Sequence, residues 1–299
     1  MSLRAGLVSF LMRHTVKKKM AGFDDPEEVR KQAGLPGGRI PDGVSVETVT
    51  AGGVPAEWVV GSPTDEAVML YLHGGGYVFG GLDSHRDIAC RLAAQAGVKV
   101  LLLDYRLAPE YRFPAAVDDA TAAYSWLLDE GVNPAQLVIA GDSAGGGLAT
   151  ALMVNLKTLG LPQPKAAVLI SPWVDLAMTG ESLQANARAD AMLSPEAIEK
   201  FASLYLGDSD PRSPLASPIF ADLSGLPPAY VMVGDTEVLM SDAQTLVKRI
   251  SEADGQVELT IWPKMPHVFP IMSAIIPEGR QAIEDISTFV RAQLELPDS

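Results

Sequence analysis

Gly141-Asp142-Ser143-Ala144-Gly145 follows the apolar run Leu137-Val138-Ile139-Ala140. A serine between glycines, where a strand must reverse sharply into a helix, describes a nucleophile elbow: the small flanking residues make room for a strained backbone that presents the hydroxyl. Such a Gly/Ser/Gly spacing arises by chance in roughly one chain in ten of this length. His73-Gly74-Gly75-Gly76, arriving after Ala67-Val68-Met69-Leu70-Tyr71-Leu72, is far rarer, at roughly two chains per thousand. The two boxes serve one chemistry. Acyl transfer needs a nucleophile, Ser143, and main-chain N–H groups that hold a tetrahedral oxyanion without a Cβ in the way. Gly75, Gly76 and Ala144 are the candidate donors.

A serine nucleophile needs a base, and the chain has four histidines. His14 lies in the N-terminal segment, His73 opens the glycine loop and reads as its hydrogen-bonded anchor, and His85 begins a helix. His267 remains, on the loop after the last expected strand, where it would take the Ser143 proton and return it to the leaving alcohol. Gly234-Asp235-Thr236-Glu237-Val238-Leu239 supplies two carboxylates, Asp235 and Glu237, either of which is placed to orient that imidazole. Water is the second substrate, and the scheme calls for no metal and no organic cofactor.

Positioning these groups takes a particular scaffold. Strand-like runs at Ser45–Val49, Glu57–Val60, Val68–Leu72, Lys99–Asp104, Leu137–Ala140, Ala167–Ile170, Ala229–Val233 and Val257–Trp262 alternate with helical patterns at Asp83–Ala96, Ala115–Asp129, Gly147–Leu159, Ser241–Ala253 and Glu278–Leu294. That alternation predicts an α/β fold with a mostly parallel eight-stranded sheet flanked by helices. It breaks between Ala177 and Asp222, where a helix introduced by Ser194-Pro195-Glu196 precedes a turn-rich stretch. The expected organisation is an N-terminal cap segment (1–44), a core (45–176 and 222–299) and a cap insertion (177–221) over the C-terminal sheet edge, where ligands bind in open α/β folds.

The 299 residues are 47% hydrophobic, enough for one large domain. A net charge of −14, with 37 acidic against 23 basic residues, makes nucleic acid and anionic membranes poor partners. The lone cysteine, Cys90, excludes an intramolecular disulfide and suits a reducing, cytoplasmic compartment. No apolar stretch is long enough for membrane insertion. Leu7–Met12 is too short for a signal-peptide core, and Lys17-Lys18-Lys19 follows rather than precedes it. The segment reads as a helix whose apolar residues lie against the body or over its pocket, with a membrane-surface role as the minor alternative.

His73-Gly74-Gly75-Gly76-Tyr77, Asp104-Tyr105-Arg106-Leu107-Ala108-Pro109-Glu110, Phe113-Pro114-Ala115-Ala116, the elbow, and Ser171-Pro172-Trp173 together resemble the bacterial hormone-sensitive-lipase-like (family IV) esterases. The likeness spans Glu57 to Phe289. It implies the α/β-hydrolase fold, with the order nucleophile, acid, histidine along the chain. Most members carry the acid in an Asp-Pro-Leu triplet; matching on the leucine sets Glu237-Val238-Leu239 over it and favours Glu237, with Asp235 the alternative. The resemblance further implies a serine esterase for short- to medium-chain acyl esters and a homodimer formed through a sheet edge. Tyr77 and Trp173 follow strand ends on the site side and are weak candidates for lining the substrate pocket. Paired charges at Arg106 and Glu110, and Asp142 beside the nucleophile, read as supports for the loops. An amidase, deacetylase or lipase uses the same constellation, because the elbow activates a nucleophile without choosing the acyl group. A non-catalytic receptor on this scaffold typically lacks the histidine.

Overall fold

Short apolar runs closed by glycine, proline or polar residues become strands here because both faces of most of them are covered. The computed structural model describes residues 1–23, 25–33, 40–61 and 66–296; the remaining residues of the expected N-terminal cap and core lie outside them. β1 (Ser45–Ala51), β2 (Val54–Val60), β3 (Val68–Leu72), β4 (Lys99–Leu103), β5 (Leu137–Asp142), β6 (Ala166–Ile170), β7 (Ala229–Gly234) and β8 (Val257–Trp262) form one sheet in the order β1-β2-β4-β3-β5-β6-β7-β8. β2 runs antiparallel to β1 and β4, and every other pair is parallel. All the expected strands are present. β1 and β2 extend further than expected, because Gly52 and Gly53 (φ 59° and 89°) close a hairpin between them. Pro55 near the start of β2 is tolerated where the ladder begins.

The helices are α1 (Leu3–His14), α2 (Val16–Gly22), α3 (Pro26–Ala33), α4 (Leu82–Ala96), α5 (Ala115–Asp129), α6 (Ala144–Leu159), α7 (Ser182–Ala185), α8 (Pro195–Leu206), α9 (Met240–Glu252) and α10 (Pro277–Leu294). Side chains alternate across the sheet. Leu70, Leu72, Leu101 and Leu103 join a core with Val117 and Tyr124 of α5, Leu148 and Leu152 of α6, and Leu246 of α9. Met69, Tyr71, Val100 and Leu102 face the other way, onto Ile88 of α4 and Ile283 and Val290 of α10. Burying each such aliphatic side chain stabilises the fold by about 1.5–3 kcal/mol before entropy is counted. β3 leads to β4 on one side, and the chain then crosses to β5 on the other. This leaves a crevice at the carboxyl ends of β3 and β5.

Two stretches lie over that crevice. α8, capped by Ser194 Oγ accepting from Ala197 N–H, presents Phe201, on which Phe23 stacks at 5.2 Å between ring centres. α3 is fastened by Arg30, whose guanidinium donates to the Val78 and Ala108 carbonyls and pairs with Glu110. α1 departs from expectation: only Ala5 is buried, and Leu3, Leu7, Phe10 and Leu11 point into solvent. The helix is apolar on both faces, so periodicity alone did not say which face packs. Among the described residues, no helix is long and apolar enough to cross a membrane.

Candidate active site

β5 ends at Asp142 and α6 begins at Ala144, so Ser143 alone makes the reversal, at φ 52° and ψ −121°. That positive φ is costly for a residue with a Cβ and persists only where the surroundings enforce it. Glycines do so by close packing: a Cβ on Gly145 would lie 2.0 Å from the Leu72 carbonyl oxygen, and one on Gly141 2.3 Å from that of Gly145. α6 therefore starts three residues earlier than its weak glycine-rich propensity suggested, and its N-terminus lies directly behind Ser143. Opposite it, Gly75 (φ 122°) and Gly76 (φ 60°) turn the loop after β3. Among the described residues, the Gly75 and Gly76 N–H groups find no acceptor, and Ala144, first in its helix, has none within it.

His267 reaches Ser143 from the loop after β8. The Ser143 hydroxyl donates to His267 Nε2 at 2.9 Å, and His267 Nδ1–H donates to Glu237 Oε2 at 2.7 Å. Both His267 and Glu237 are buried. Asp235, two residues earlier, is exposed, and its carboxylate accepts the Lys264 N–H at 2.6 Å. Burial alone would lower the His267 pKa, but the hydrogen bond and charge of Glu237, helped by Asp190 and Asp142, outweigh it and raise the pKa above the ordinary histidine value.

Residues 69–271, well over half the chain, match the family model of an α/β-hydrolase fold. An acetyl-hydrolase of Streptomyces hygroscopicus is 42% identical over 276 residues, covering 92% of this chain and 90% of its own. The crystal structure of an esterase from the bacterial hormone-sensitive lipase family superposes with a TM-score of 0.92 at 42% identity, covering 98% of this chain and 99% of its own. The esterase EstE5, soaked with p-nitrophenyl butyrate, gives a TM-score of 0.94 at 40% identity over 99% of this chain and 100% of its own. The chain belongs to the hormone-sensitive-lipase-like (family IV) esterases. It is thus a carboxylic-ester hydrolase of the α/β-hydrolase superfamily.

Behind the front groups, this esterase carries supports that the motifs only partly announce. Asp142 Oδ1 accepts from the Tyr71 hydroxyl (2.9 Å) and the Gly74 N–H (3.0 Å), tying the elbow to the glycine loop. Burial opposes its ionisation, yet the charge and hydrogen bond of His85 and the Tyr71 hydroxyl hold its carboxyl below the usual range. His73 meets its own loop through Nδ1 and the Gly74 carbonyl oxygen (2.8 Å) and stacks on Tyr105; burial and the neighbouring His85 push its pKa down to about 3, so it stays neutral. Arg106 and Glu110 do pin loops, through Asp119 and Arg30 respectively. Tyr77 and Trp173 are each 1% exposed, with Tyr77 stacked on Tyr205 at 3.8 Å. They form a packed wall.

Two supports, Asn186 and Asp190, had no sequence signal, and a third, Ser171, stands in a motif that did not disclose its role. Asp190 accepts the Val238 N–H at 2.8 Å, and the Asn186 side chain donates to the Glu237 carbonyl at 2.8 Å, so the stretch between β6 and β7 holds the backbone on which Glu237 sits. Ser171, at φ 46°, donates its hydroxyl to Glu237 Oε1 at 2.8 Å and accepts the Val268 N–H at 3.3 Å. It thereby joins the carboxylate to the residue following His267. Gly234 N–H supplies Oε1 with its other donor, at 2.5 Å. Ser171→Ala is expected to lower kcat by about one order of magnitude, the worth of one hydrogen bond to a charged group, with KM unchanged. Initial rates on a soluble aryl ester, read beside the melting temperature, check this. An equal rise in KM would mean that the hydroxyl shapes the pocket rather than the acid.

Proposed function

We propose that this esterase cleaves short- to medium-chain carboxylic esters through an acyl-enzyme on Ser143. The observation that carries the reading is the unbroken hydrogen-bond chain from Ser143 through His267 to Glu237, beside a glycine loop tied to the elbow by Asp142 and whose Gly75 and Gly76 N–H groups find no acceptor among the described residues. Ser143 Oγ attacks the ester carbonyl carbon as its proton passes to His267 Nε2, while Glu237 stabilises the imidazolium. The oxyanion is held by Gly75, Gly76 and Ala144 N–H groups, each worth about two to three powers of ten in rate. Collapse expels the alcohol, which takes the proton from Nε2 and leaves the acyl group esterified to Oγ. Water then attacks the same carbonyl, gives one proton to Nε2, and the acid leaves as that proton returns to Ser143. No step needs a metal or a cofactor.

The acyl range rests on the roof and on the relatives. Phe201 lies so close above Gly76 that a Cβ there would come within 2.8 Å of its ring. A roof of Phe201, backed by Phe23, over the glycine loop favours compact acyl groups, in keeping with the acetyl-hydrolase name of one relative and the butyrate ester soaked into another. The reading includes a cytoplasmic homodimer: Cys90 is buried, and β8 is an outer strand of the sheet. A panel of p-nitrophenyl esters is expected to be hydrolysed fastest from acetyl to hexanoyl, with a burst of nitrophenol and little turnover of palmitoyl esters or anilides. Fastest turnover of the palmitoyl ester would make it a lipase, and comparable rates on anilides an amidase.

A further inference from the structure

α1 leaves a large apolar face uncovered. Leu3 is 95% exposed, Leu7 60%, Phe10 59% and Leu11 51%, and the helical repeat sets them in one stripe with His14. Bare stripes of this kind on a soluble protein mark a docking surface. Charge indicates what docks. The first 23 residues hold Arg4, Arg13, Lys17, Lys18 and Lys19 and no acid, whereas all 37 acidic residues follow. Arg13 and Lys17 are engaged with backbone carbonyls at 187–190, but Arg4, Lys18 and Lys19 are exposed and form no ion pair among the described residues. α2 follows α1 after Thr15 alone, with the Thr15 and Lys19 N–H groups each bonded four residues back. Arg4 lies in the first turn of the helix that carries the apolar stripe, and Lys18 and Lys19 lie in the helix that follows it.

From this we propose that α1 and the start of α2 form an interfacial docking helix that seats the enzyme on an anionic lipid surface. Leu3, Leu7, Phe10 and Leu11 enter the acyl boundary while Arg4, Lys18 and Lys19 meet phosphate headgroups. At about 1.5 Å per residue, α1 is far too short to span a bilayer and lies in its plane. The net charge of −14 does not forbid this. Screening over about 8 Å lets the lipid feel the nearby cations more than the distant acids, and Glu278, beside the start of α1, is occupied by Ser2. A second copy fits less well, since a symmetric contact through α1 would set the same unpaired cations against each other. The helix is also well placed for use: Lys17 donates to the Asp190 carbonyl, and the Asp190 carboxylate holds Val238 beside Glu237. The docked face and the site thus share one rigid roof.

The test is co-sedimentation of the full chain with vesicles of phosphatidylcholine alone or mixed with phosphatidylglycerol, a readout independent of turnover. The wild type is expected to bind the mixed vesicles and to be released by salt. Lys18→Glu with Lys19→Glu should lower that partition by at least about twentyfold, at about 1 kcal/mol per cation. Leu7→Asp with Phe10→Asp should lower it about a hundredfold. Unchanged hydrolysis of a soluble short ester certifies that both variants are folded. The proposal fails if the wild type ignores mixed vesicles or if neither variant weakens binding. It also fails if the wild type instead forms a concentration-dependent dimer that Leu7→Asp with Phe10→Asp abolishes, which would assign the face to self-association.

Discussion

Ser143→Ala is expected to lower kcat for a soluble aryl ester by about a millionfold, about 8 kcal/mol of transition-state stabilisation. The residue would survive structurally, because alanine keeps the Cβ that the elbow already accommodates at φ 52° and loses only the oxygen bonded to His267. The variant should melt at the wild-type temperature and still bind ester, and the alcohol burst should vanish. Stopped-flow release of nitrophenol reads this directly. Residual turnover within tenfold of the wild type would abandon Ser143 as nucleophile and, with it, the acyl-enzyme. Ser143→Gly carries a further expectation: it removes the strained Cβ and should raise stability by about 1 kcal/mol while being equally inactive.

The second large effect separates the two neighbouring carboxylates. Glu237→Gln is expected to cost about four powers of ten in kcat, since an amide in that place can present its N–H to His267 and favour the wrong tautomer. Asp235→Asn should leave kcat within about twofold of the wild type, because its exposed carboxylate bonds only a loop N–H. The pH profile carries the sign. His267 is a base only when neutral, and Glu237 holds its pKa above the ordinary value, so kcat/KM should fall as pH drops through that raised pKa. In Glu237→Gln the supporting charge is gone while burial remains, and the acid limb should move to lower pH. A limb that stays put in Glu237→Gln and shifts in Asp235→Asn would reverse the assignment.

The parts of this molecule that were legible in its sequence are those whose chemistry is local. Leu137–Ala140, Val68–Leu72 and the other strands announce themselves because a buried strand needs a short apolar run and nothing distant. The elbow box is equally local at Gly141, which is required by the Gly145 oxygen that its own turn brings near, whereas Gly145 is required by the Leu72 oxygen of the neighbouring strand. The turn itself did not separate Asp235 from Glu237, because it sends one outward and the other inward and only the fold fixes that rotation; the preference for Glu237 came from the family resemblance at Leu239. Asn186 and Asp190 gave no signal, and Ser171 showed itself only as part of a motif and not by its role, because each acts on a partner far along the chain through hydrogen bonds that no spacing encodes. The orientation of α1 escaped for a different reason: with Val8 and Met12 on one side and Leu7 and Leu11 on the other, its pattern has no polar face to point outward.

Asn186 and Asp190 belong to the connection between β6 and β7, and that connection also supplies Phe201 above the glycine loop. Remodelling this stretch to admit a bulkier ester, or grafting in the counterpart from another enzyme, would therefore disturb the carboxylate that steadies the histidine unless those two residues travel with the graft. Selectivity and turnover in this scaffold are inherited together, and a library that randomises the lid while sparing Asn186 and Asp190 should retain many more active clones than one that does not.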